Sequence, residues 1–186
     1  LETYNPASNE DSYNVAVGFA ALEADTIGKN NTAVGGNALL VNTTGSSNTA
    51  IGTGALDANT TASYNVAVGS SALAANTTGT GHVAVGYAAL RDNTTANNNT
   101  ALGNNCMPAN TTGAGNTAVG NSSMNVNTTA SDNTAVGYLA LVANTTANDN
   151  TAVGKNCLDS ATTGSANTAV GSFSLSSITD GDSCSA

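Results

Sequence analysis

The chain has 186 residues, enough for one domain, and a net charge of −9 from 3 basic and 12 acidic residues. Only 8% of residues are charged and 4% aromatic, while Asn reaches 28 and Gly 20 against 2 Pro; a disordered chain is ordinarily rich in charge and Pro, so this composition argues against simple disorder. The acidic balance argues against a phosphate-binding, nucleic-acid-facing surface, and no apolar run approaches the roughly 18 residues of a membrane span. No basic-then-apolar leader opens the sequence, and Leu1 in place of Met reads as a processed product or a fragment.

In chain order, residues 1–13 read as an N-terminal cap or docking segment, a partial copy that Glu2, Pro6, Glu10 and Asp11 interrupt. Then a pentad close to Asn-Thr-Ala-Val-Gly begins at Asn14, Asn31, Asn48, Asn65, His82, Asn99, Asn116, Asn133, Asn150 and Asn167, always 17 residues apart. Numbering each copy 1 to 17, position 3 is Ala, position 5 Gly and position 13 Thr in all ten; position 4 is Val, Ile or Leu, and position 9 Leu or Met. Residues 14–166 make nine regular copies, and 167–186 a divergent last copy and tail in which Ile178, Asp180 and Asp182 replace the consensus.

Seventeen residues are too few for a helical-repeat unit, and Gly, Asn and Thr disfavour helix interiors. The period fits an all-β fold, a single parallel β-solenoid of ten coils with atypical ends, whose short strands are separated by Gly and Asn corners. If the Val at position 4 faces inward, so does position 2, and the Ala at position 3 faces out. The Gly at position 5 then makes a corner with positive φ. A second strand would point positions 9, 11 and 13 inward and the Asn and Thr of positions 12 and 14 outward. Asp92, at an inward position 11, conflicts with this scheme.

The pattern NTAVGxxALxxNTTGxx, over residues 14–183, resembles the tandem repeats of viral tail fibres and bacterial surface proteins. More distantly it is similar to the β-roll heads of trimeric autotransporter adhesins. The resemblance implies a parallel β-solenoid and an extracellular, cell-surface or virion-surface setting, and it carries stalk, spacer, adhesive and fibre roles alike.

No residue pattern points to catalysis, a metal or a cofactor. His82 stands where nine other copies have Asn, which reads as a substituted ladder residue. Asp132 and Asp149 share position 17 of adjacent coils without calcium-roll spacing. Cys106 and Cys157 share position 8 but lie three coils, about 14 Å, apart, too far to bridge. Cys184 is the candidate intersubunit thiol, with a free thiol the alternative. Asn42, Asn59, Asn76, Asn93, Asn110, Asn127 and Asn144 each begin Asn-Thr-Thr, an N-glycosylation acceptor, and Asn30, Asn98 and Asn121 begin three more; the alternative for the first seven is a ladder of amides bonding coil to coil.

Three functions fit this reading. The first is a structural subunit of an extracellular fibre, a head-to-tail homo-oligomer joined through its coil ends and carrying glycans on the acceptor Asn residues. The second is a spacer or adhesive segment of a viral fibre or surface adhesin, trimeric through the Ala column at position 3. The third is ice binding by the Asn and Thr columns at positions 12 and 14. None involves nucleic acid, a membrane span or enzymatic activity.

Overall fold

The computed structural model describes residues 12–186, so most of the expected cap at 1–13 lies outside the described residues. Ten three-residue strands follow one another: β1 (Val15–Val17), β2 (Thr32–Val34), β3 (Thr49–Ile51), β4 (Val66–Val68), β5 (Val83–Val85), β6 (Thr100–Leu102), β7 (Thr117–Val119), β8 (Thr134–Val136), β9 (Thr151–Val153) and β10 (Thr168–Val170). They form one parallel sheet in sequence order, each strand paired with its neighbour at a shift of 17 residues. This is the β-solenoid the period predicts. Beyond β10 the chain starts another turn: Ser185 bridges Thr168, and Thr168 N–H donates to the Cys184 carbonyl at 2.8 Å.

The facing of the strands is opposite to the expectation. From β2 to β10 the Ala at position 3 is fully buried, while the side chains at positions 2 and 4 are half-buried or exposed. The interior is too thin for a β-branched column. Ala33 and its equivalents share it with Ala, Cys or Ser at position 8 and with Leu or Met at position 9. The signal was in the sequence: a position that never departs from Ala marks a close approach, whereas one that accepts Val, Ile, Leu or Thr marks open space.

The Gly corner is as expected. Position 5 has φ between +130° and +144° in every coil, and a Cβ on Gly18 would lie 2.6 Å from the Gly35 carbonyl oxygen. The second strand is replaced by turns, because positions 7, 9 and 17 also take left-handed φ, between +46° and +73°, in each coil, Leu73 at +52° among them. Inter-coil backbone bonds continue through this arm all the same, as in Leu39 N–H to the Ala55 carbonyl at 3.1 Å and Thr43 N–H to the Thr60 carbonyl at 2.8 Å. Position 9 points inward as predicted, but position 11 does not: Val41 and Val126 are exposed. That resolves Asp92, which sits near the surface and accepts two 2.7 Å hydrogen bonds from its neighbour Arg91. From Thr43 to Thr145 the Thr at position 13 is half-buried, and its hydroxyl reaches the next coil, Thr43 Oγ1 donating to the Thr60 carbonyl at 3.0 Å.

Candidate functional site: two buried amide columns and an open strand face

The interior holds two polar columns beside the Ala and Leu seam. At position 12 the seven Asn side chains of the Asn-Thr-Thr triplets are fully buried, not outward. Each spends both Nδ2 hydrogens. Asn59 Nδ2 donates to Asn42 Oδ1 of the preceding coil at 2.8 Å and to the Ala62 carbonyl of its own coil at 3.1 Å. The same pair of bonds recurs at Asn127, and the series continues through Asn144. All these amides point toward the N-terminal coil, where Asn42 donates to Asp25 Oδ1 at 2.7 Å. A carboxylate thus closes the acceptor end of a row of aligned dipoles. Burial raises the Asp25 pKa, with the Asn42 and Asn14 amides pulling the other way.

At position 1 the Asn side chains form the second column. Asn48 Oδ1 accepts the backbone N–H of Asn65 at 3.0 Å, and Asn48 Nδ2 donates to the Ala62 carbonyl at 2.9 Å. The carbonyl at position 15 therefore receives both amides of its own coil, which ties the turn arm to the strand arm. His82 occupies this column with the same two functions. Its Nδ1 accepts Asn99 N–H at 3.1 Å, and its Nε2 lies 2.7 Å from the Ala96 carbonyl, which places the proton on Nε2. Burial lowers its pKa, partly offset by the Ala96 carbonyl. Among the described residues no buried side-chain nitrogen or oxygen lacks a partner.

The packing constrains the candidate acceptors. A glycan would attach at Nδ2, the atom that carries two buried hydrogen bonds in Asn42, Asn59, Asn76, Asn93, Asn110, Asn127 and Asn144. No sugar fits there in the folded rod. The amide-ladder alternative describes these seven residues. Asn30, Asn98 and Asn121 are exposed, the first two at the corner with φ of +58° and +59°. The Ala column is likewise closed to any partner, which removes the trimer contact expected of it.

The thiols divide in the same way. Cys106 and Cys157 are buried and free, each donating to a carbonyl 3.2 Å away, Ala118 and Ala169 respectively. Ser123 uses the same slot against the Ala135 carbonyl at 3.1 Å. Burial pushes the Cys106 pKa up to about 12. Cys184 is free and half-buried, at the start of the further turn. Asp132 and Asp149 are exposed, and among the described residues no cluster of His, Cys, Asp or Glu could hold a metal ion.

No known protein family, curated protein or solved structure matches this chain. Among the described residues no helix is long and apolar enough to cross a membrane. The outside of the sheet, the exposed side of the turn arm and the two ends of the stack are open to a partner.

Proposed function

We propose that the chain is a structural subunit of an extracellular fibre, stacking head to tail through its coil ends. One observation carries the reading: nine consecutive strand pairings repeat one register without a bulge or slip. The step that sets one coil on the next can therefore set one rod on another, and a contact that translates without closing makes a filament. The ladders are directional as well. Position-1 oxygens accept from the following coil and position-12 amides donate to the preceding one, but both columns stop short of the ends, at Asp25, at Ala161 and Ile178, and at Cys184. Among the described residues β1 pairs on one side only, and outside β10 there is a single bridge. Sugars belong on Asn30, Asn98 and Asn121; Cys184 finds no partner thiol across a head-to-tail junction, because the other two cysteines, Cys106 and Cys157, are buried.

Negative-stain microscopy of the purified full chain tests this. Unbranched filaments are expected, with an axial repeat of roughly 50 Å for about ten coils at the β spacing. A monomer at high concentration by analytical ultracentrifugation overturns it.

A further inference from the structure

The strand face is one of two regular surfaces of the molecule, beside the exposed Thr column at position 14 from Thr44 to Thr163, and nothing in the core requires that regularity. Its 20 outward positions, two per strand from Val15 and Val17 to Thr168 and Val170, hold only Thr, Val, Ile and Leu. The adjoining exposed position 6 runs through Phe19, Ser70, Tyr87, Asn104 and Lys155. Strand propensity accounts for β-branched residues but not for the complete absence of charge, since edges and open sheets are ordinarily guarded by Lys or Glu. Over β6 to β10 the position-2 column is unbroken: Thr100, Thr117, Thr134, Thr151 and Thr168.

We infer that this face binds ice. Its side chains form a two-dimensional grid, about 4.8 Å from strand to strand and about 6.6 Å between alternate residues of one strand. The first spacing lies close to the shorter oxygen repeat on a prism face of hexagonal ice, and the second falls short of the longer one. The inter-coil backbone ladder and the two buried amide columns hold the grid rigid from behind. Thr methyls and Val side chains shelter caged water, and the Thr hydroxyls join it by hydrogen bonds. A second copy is the weaker occupant: the two columns cover about 43 Å by about 10 Å, roughly half of the ~800 Å² per partner that a stable protein interface buries. The columns differ from those the sequence suggested, because position 12 is buried and position 14 lies on a turn outside the sheet.

Thermal hysteresis and inhibition of ice recrystallisation by the full chain are the test, with thermal melts confirming the fold of each variant. Wild type is expected to show both activities. Thr134→Tyr, which plants a ring in the middle of the unbroken Thr run from β6 to β10, loses them; Thr134→Val, which keeps the methyl shape found at Val66 and Val83, retains most of them. Thr129→Tyr, exposed at position 14, leaves them unchanged. Absence of both activities in wild type, or a Thr134→Tyr rod as active as wild type, overturns the inference. So does sedimentation of wild type as a dimer that Thr134→Tyr dissociates, which would assign the face to a second copy. Filament formation is read separately at room temperature and is unaffected by any of these outcomes.

Discussion

A single backbone torsion explains why position 9 is Leu or Met and never Ile or Val. Every residue there has left-handed φ, from +49° at Met107 to +53° at Leu22, a region that a β-branched side chain enters only with strain. Leu73 is fully buried, so Leu73→Met should cost less than about 1.5 kcal/mol as a volume-conserving change. Leu73→Ile should cost about 1–3 kcal/mol beyond that, the strain of an unfavourable backbone region. Urea denaturation of the two variants measures the difference, and equal midpoints would remove the torsional explanation. His82 supplies a second test at this scale. Protonating Nδ1 would set its N–H against the Asn99 N–H, and burial already favours the neutral ring. The folded pKa is depressed, so the stability contribution is complete above the unfolded value of about 6.5 and is lost as pH falls through the folded value. Wild type should lose urea resistance between pH 7.5 and 5 relative to His82→Asn, which restores the column's usual amide. Parallel pH profiles would refute this.

At the scale of the coil, the two amide columns replace much of what a larger hydrophobic core would do. Asn93→Ala leaves the Asn76 oxygen without its donor and one hydrogen of the Asn110 amide without an acceptor, both buried. With a penalty of ~1–3 kcal/mol for each unsatisfied group, a loss of about 3 kcal/mol is expected by urea titration. Thr95→Ala, at the exposed position 14, should change stability by less than about 0.5 kcal/mol. The thiols report the same division: Ellman titration of the native protein should find only Cys184 reactive, and denaturant should release Cys106 and Cys157. The period, the parallel stack and the Gly corner were legible in the sequence because each follows from spacing or from one residue type. Facing was not. A two-residue alternation fits a strand equally well either way round, and hydrophobicity favoured placing Val34 rather than Ala33 inside. Asn42 was hidden by its Asn-Thr-Thr context, which reads as a surface signal, although its recurrence at every coil from 42 to 144 is what a buried ladder needs. The sequence marks His82 as a ladder substitute, but only the structure shows that its two nitrogens reproduce the two functions of Asn.

For the whole molecule, translational symmetry makes a sharper prediction than any point substitution. If each coil interacts only with its two neighbours, stability is close to a sum of coil and interface terms. Removing residues 116–132 takes out one complete coil and brings Asn133 directly after Gly115, at the same position in the repeat. Every ladder then closes again: Asn144 falls beneath Asn110 in the position-12 column, and β8 meets β6 in the register of the other pairs. The shortened rod should keep its β signal by circular dichroism, and its urea m-value should fall by about a tenth, in proportion to the surface lost. Removing residues 116–131 differs by a single residue and should be far more damaging. It leaves one extra residue at the junction, so that either the corner is distorted or the following strands slip and turn their Ala face outward. A 17-residue deletion that unfolds the rod would show that coils are held by more than their neighbours. Equal tolerance of both deletions would show that register is not what holds the stack.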